Sequence, residues 1–168
     1  MEYATPISKL YGVALEVRLA LKVRRITTTE QLLQAAALYE DRQALARATR
    51  LHPEALTTIV RRADIARVKG IGTGFARMLA EVGVRDVASL AVQDPRTLRT
   101  YLHALNRAER LVRRCPTLDE IDDWVAQARL LPPLLGEAPQ GDATELPGGL
   151  GMDTVSAKTA ASAELPRT

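Results

Sequence analysis

The stretch Ile65-Ala66-Arg67-Val68-Lys69-Gly70-Ile71-Gly72-Thr73-Gly74-Phe75-Ala76-Arg77-Met78-Leu79 decides how this chain folds. Apolar residues at helical spacing flank a Gly-Ile-Gly core. The segment therefore predicts a helix ending near Lys69, a reversal through residues 70–72 and a second helix from about Thr73. Glycine at 70 and 72 permits positive φ and close backbone approach. Ile71 between them is placed to tuck into the core, and Ala76 is small enough for the two helices to cross tightly. Val82-Gly83 supplies a glycine stop with Val84 returning to the core, and Asp86 caps the next helix. A helix that starts behind such a turn presents unpaired N–H groups and the positive end of its dipole, which is the physical recipe for holding an anion.

Helix starts recur on both sides of this hairpin. Thr27 or Thr28, with Glu30 or Gln31 completing a capping box, opens a helix over Thr29–Tyr39. Asp41 is read as the cap of Arg42–Thr49. Pro53 suits a first helical position, with Leu56, Ile59, Val60 and Ala63 following at helical spacing. Asp94-Pro95 repeats the device ahead of Leu98, Tyr101, Leu102 and Leu105. Thr117 with Glu120 forms another capping box before the stripe Leu118, Ile121, Trp124, Val125 and Ala128, and Pro132-Pro133 ends that helix. Short helices with short connections imply a compact bundle.

The hairpin also anchors an internal repeat. A shift of 58 positions lays Ile7 on Ile65, Leu10 on Val68, Gly12 on Gly70, Leu21 on Leu79, Ile26 on Val84 and Leu32 on Leu90. At a longer offset, Ile59-Val60-x-x-Ala63 resembles Trp124-Val125-x-x-Ala128. The expected organisation is all-α: a helical unit over residues 1–64, a second over 65–131, packed as one body, and a flexible Pro/Gly/Ala-rich acidic tail over 132–168.

Composition supports this reading. Ala, Leu and Arg make up 69 of the 168 residues, against six aromatics, so a strand-rich fold is excluded. No apolar run reaches the length of a membrane span, and the charges at Lys9, Glu16, Arg18 and Lys22 break up any secretory core near the start. One cysteine, Cys115, allows neither an internal disulfide nor a cysteine-based zinc cluster. A cytoplasmic protein that makes no membrane contact is expected. The net charge of +3 divides into +6 over residues 1–131 and −3 over 132–168. Six bases and two acids lie between Arg61 and Arg85, so the hairpin sits in positive chain.

The pattern apolar-x-x-apolar-x-Gly-apolar-Gly-x-x-x-Ala-x-x-apolar resembles the helix-hairpin-helix motif of DNA repair and recombination proteins. More widely, residues 1–131 resemble a little-characterised bacterial family of tandem helix-hairpin-helix-like domains of unknown function. The motif resemblance implies a non-sequence-specific binder of the DNA backbone, while the wider family resemblance implies almost nothing about activity. Carried over to this chain, Gly70, Gly72, Thr73 and Gly74 supply donors to a phosphate, and Arg67, Lys69 and Arg77 supply charge. No cofactor is implied beyond a monovalent cation at the hairpin. The first unit departs from the motif: Ala14 replaces the second glycine, and Glu16 falls where Gly74 stands, placing a carboxylate beside a would-be phosphate. That hairpin reads as structural.

Asp119, Glu120, Asp122 and Asp123 lie at a helix start, where carboxylates favour the dipole rather than a metal. Arg107, Arg110, Arg113 and Arg114 have a spacing that would line one helix face. Trp124 reads as core. No phosphate loop, serine elbow or dinucleotide fingerprint is present, so catalysis is not expected. The alternative to DNA binding is a protein-interaction adaptor or homo-oligomer, in which the body or tail docks a partner and the hairpin is structural.

Overall fold

A computed structural model describes residues 4–137. A short 3-10 helix, Ile7–Lys9, precedes eight α-helices: α1 (Leu15–Val23), α2 (Thr29–Ala36), α3 (Tyr39–Thr49), α4 (Pro53–Ile65), α5 (Thr73–Glu81), α6 (Val87–Ala91), α7 (Pro95–Glu109) and α8 (Leu118–Leu130). Among the described residues the only β-pairing is an isolated bridge between Pro6 and Thr28. The fold is all-α.

Local chemistry accounts for most boundaries. Thr28 with Gln31, Asp86 with Ser89 and Thr117 with Glu120 form complete capping boxes at α2, α6 and α8. Pro53 and Pro95 occupy the first helical positions of α4 and α7. Three expectations are corrected. α2 stops at Ala36 rather than Tyr39. α3 begins at Tyr39 without a side-chain cap, so Asp41 lies in its first turn and complements the dipole there. α4 ends at Ile65 rather than near Lys69. There the chain turns sharply, Ala66, Arg67 and Val68 donating to the carbonyls of Arg62, Asp64 and Ile65.

The repeat is visible in the backbone itself. Positive-φ residues come in matched pairs: Gly12 with Gly70, Arg25 with Gly83, and Arg50 with Arg110. Non-glycine residues rarely accept this conformation, so its recurrence at equivalent turns shows that the two halves trace one path. The cores match as well. Leu56, Ile59, Val60 and Ala63 of α4 are buried in the first core, as Ile121, Trp124, Val125 and Ala128 of α8 are in the second. The cores meet along α4, which buries Ala63 in one and Ile65 in the other.

Beyond α8 the structure departs from the sequence reading. The tail expected from Pro132 begins as a bound strap that returns to the first unit. The Pro132 carbonyl accepts from Arg67, the Gly136 N–H donates to the Ala37 carbonyl at 2.9 Å, and the Gly136 carbonyl accepts from Arg42. Leu135 packs on the first core. A side chain at 136 would make ordinary contact with the backbone of Leu38 and Tyr39, so the backbone bonds and Leu135, rather than the glycine, hold the strap. The remainder of the expected tail, residues 138–168, lies outside the described residues.

Candidate nucleic-acid interface

Gly70 has φ +91°, the left-handed region that disfavours a side chain. A Cβ there would also approach Trp124 Nε1 to 3.0 Å. The turn therefore rests directly on the indole, and Phe75 completes the contact with its ring centroid 5.3 Å from that of Trp124. Almost one turn further along α8, Gln127 clamps Lys69, accepting from its N–H at 2.9 Å and donating to its carbonyl at 3.1 Å. Ile71 packs partly buried on the second core, as the spacing implied.

Gly72 is the N-cap of α5, with no side-chain cap. Its φ of −78° corrects the expectation of a positive φ, and a Cβ there would meet nothing within 4 Å. No contact among the described residues requires glycine at this position. Among the described residues the N–H groups of Gly72, Thr73, Gly74 and Phe75 have no acceptor. No acidic residue occupies the first turn of α5. These four N–H groups lie at the positive end of α5, with Gly72 and Thr73 exposed and Gly74 and Phe75 half-buried.

The remaining residues named from sequence divide. Lys69 and Arg77 are exposed and make no ion pair among the described residues. Thr73 is exposed, with its hydroxyl donating to the Lys9 carbonyl of the first unit at 3.3 Å. Gly74 is needed for packing, since a Cβ would come within 2.8 Å of Val112 Cγ1. Arg67 does not join the group. Its guanidinium is turned inward, paired with Asp64 at 2.7 Å and bonded to the Pro132 carbonyl. Asp64 in turn accepts from the Val87 N–H at 2.8 Å, so this pair ties the hairpin to α6 and the strap.

The first hairpin carries a clamp of its own, and the N–H groups of Ala14, Leu15, Glu16 and Val17 likewise have no acceptor among the described residues. Arg62 of α4 donates to the carbonyls of Tyr11 and Gly12, and its guanidinium lies 4.1 Å from the Tyr11 ring centroid. Glu16 stands in the first turn of α1. Arg62 and Gln127 occupy equivalent places on the fourth helices of their units, each clamping its own hairpin. The longer repeat offset, already visible in the Ile59-Val60 and Trp124-Val125 match, carried that signal.

Nor do Arg107, Arg110, Arg113 and Arg114 line one helix face, since only Arg107 lies within α7. α7 ends at Glu109, Arg110 adopts a left-handed conformation, and Arg113 and Arg114 lie in the following loop. Arg114 pairs with Glu120 through two bonds of 2.7 and 2.8 Å and lies 5.6 Å from the Phe75 ring centroid. The Arg114 guanidinium and the Thr117 N–H hold the Glu120 carboxyl at about 2, well below its ordinary value near 4.5. A depressed folded-state pKa means the contribution of this contact is present above the ordinary value and is lost as pH falls through about 2. An NMR titration of the Glu120 carboxyl is expected to show its midpoint near 2. The midpoint should return toward the ordinary value in Arg114→Ala; if it stays depressed there, the pairing is not the cause.

A cleft of about 670 Å³ lies beneath the strap and is lined by Arg42, Arg61, Asp64 and Asp86 among others. Both of these aspartates already serve the fold. Asp64 holds Arg67, while Asp86 caps α6 and lies 3.6 Å from Arg61 Nε.

Fold and site together define an all-α protein of two tandem helical units, one with glycines and no acid at the helix start behind its hairpin, the other a copy in which Ala14 and Glu16 stand there. Residues 12–131 match the family model of a domain of unknown function, DUF4332, and the chain belongs to that family. No curated protein and no solved structure matches it.

Proposed function

We propose that the protein binds the DNA backbone without sequence preference, the hairpin of residues 70–75 holding a phosphate in the manner of a helix-hairpin-helix motif. The observation that carries this reading is the donor cluster at Gly72, where no acid stands in the helix start and nothing among the described residues accounts for the glycine. Lys69 and Arg77 add long-range attraction. Arg67, enlisted by sequence, serves instead as a positioning residue behind the turn. A monovalent cation is not required. The carbonyls of Val68, Lys69 and Gly72 already accept from Ile71, Gln127 and Ala76, and the N–H donors suffice.

A single such hairpin makes few phosphate contacts. Binding of a short duplex by the full chain is therefore expected in the micromolar range and to weaken steeply with salt. Gly72→Glu places a carboxylate at the mouth and should cost about tenfold or more in affinity, like charges across an interface costing several kcal/mol. Its thermal stability should be unchanged, because the added side chain meets only solvent. Arg67→Ala should do the reverse, lowering stability while leaving most affinity. Duplex binding that survives both Gly72→Glu and the pair Lys69→Glu with Arg77→Glu would overturn the assignment. Absence of binding at low salt would favour the adaptor reading, for which the exposed face of α1 is the supporting feature.

A further inference from the structure

Helix α1 carries apolar residues on two opposite faces. Val17 and Leu21 are buried in the first core, while Leu15, Leu19 and Val23, spaced four apart, remain 60%, 52% and 83% exposed. The repeat supplies an internal control. Shifted by 58, those three positions on α5 are Thr73, Arg77 and Glu81, all polar and all exposed. The architecture therefore does not require an apolar outer face on this helix. An uncovered apolar row of this kind marks a contact surface.

Its size and surroundings indicate what covers it. Three side chains suffice to hold a short segment tethered to the same chain, whose effective concentration is about millimolar. Arg18 and Lys22 flank the row on one side and Arg25 follows its end, against Glu16 on the other. The matching chemistry is apolar and acidic. Residues 145–155 read Glu-Leu-Pro-Gly-Gly-Leu-Gly-Met-Asp-Thr-Val, with Leu146, Leu150, Met152 and Val155 interspersed with Glu145 and Asp153.

The strap delivers that segment to the correct unit. Gly136 is fixed to Ala37 just before α3, and Arg24 beyond α1 donates to the Ala48 carbonyl near the end of α3. The eleven residues of α3 measure about 16 Å along the helix. Residues 138–145 reach up to about 27 Å when extended, enough to cover that distance. We propose that residues 145–155 pack against Leu15, Leu19 and Val23 of the same chain. This does not rest on the DNA reading, since the hairpin of α5 is not involved.

The test is a disulfide trap in the full chain with Cys115→Ser. Leu19→Cys combined with Leu150→Cys is expected to form an intramolecular disulfide in most molecules under mild oxidation, independent of protein concentration. Arg77→Cys with Leu150→Cys, the matching position on α5, should give at least several-fold less. Equal trapping at both positions, no trapping, or a disulfide between two chains would each overturn the proposal, the last by making the row an interface between copies. As a second readout, Leu150→Asp with Met152→Asp should accelerate amide exchange in α1 several-fold and leave α5 unchanged. Unchanged α1 exchange would also overturn it.

Discussion

Replacing Trp124 with alanine is expected to destabilise the protein by about 3–5 kcal/mol, the usual range for truncating a buried aromatic. Trp124 is among the largest fully buried side chains, and its indole performs three tasks. It fills the second core beside α6, faces Phe75, and forms the floor on which Gly70 turns. Removing it opens a cavity and leaves the hairpin without support. Domains of this size commonly have about 5–15 kcal/mol of stability in total, so the loss is a large fraction. Because the first core is built from other residues, amide exchange should accelerate first in α5–α8 and only later in α2–α4. Chemical denaturation followed by circular dichroism measures the magnitude. A loss below about 1 kcal/mol, or equal loosening of both units, would show that the indole does not hold the second unit together. Trp124→Phe keeps the aromatic bulk and should recover part of the difference.

Truncation should reveal the strap with nearly as large an effect. Ending the chain after Leu131 is expected to cost about 2–4 kcal/mol, whereas ending it after Glu137 should cost less than about 1. Two losses add in the shorter chain. Burying a leucine side chain is worth about 1.5–3 kcal/mol, of which the partly buried Leu135 supplies a share. Hydrogen bonds to a charged group contribute about 1.5–3 kcal/mol, and Arg42 loses its bond to the Gly136 carbonyl. Arg42 is nearly fully buried, without an ion-pair partner among the described residues, and burial together with the nearby charge of Arg61 lowers its pKa. It depends on the carbonyls of Ala36, Ala37 and Gly136 for compensation. Equal melting temperatures for the two truncated chains would show that the strap is a passive contact.

The two hairpins share a clamp and differ at the helix start behind the turn. In both, a fourth helix reaches back to clamp the turn, with Gln127 in one unit and Arg62 in the other. In the second, glycines and no acid stand at the helix start. In the first, Glu16 occupies the helix start and the neighbouring outer face of α1 becomes apolar. The proposed DNA contact and the proposed tail contact therefore use related helices with opposite surface chemistry.

Much of the fold is legible in the sequence. Capping boxes, prolines at first helical positions, the glycine stop at residue 83 and the two repeat offsets are local or periodic signals. They locate α4, α5, α7 and α8 closely, and place Trp124, Leu79 and Val84 in the core. The site is legible in part. Gly70 and Gly72 stand out in sequence, yet their reasons differ: Gly70 is required by its backbone and by Trp124, whereas Gly72 is unconstrained by the described residues around it. Gly74, which reads as a phosphate donor, also accommodates Val112.

By itself the sequence determined an all-α chain built twice over, with a glycine turn opening its second half, because helix periodicity and capping act over a few residues. Tertiary structure alone decided which charges remain free. Arg62, Arg67 and Arg42 reach partners 51, 65 and 94 residues away, and Lys69 is gripped from 58 residues beyond. An arginine in a sequence carries the same charge wherever it stands. Whether it meets a solvated phosphate or a buried carbonyl depends on which distant element packs beside it.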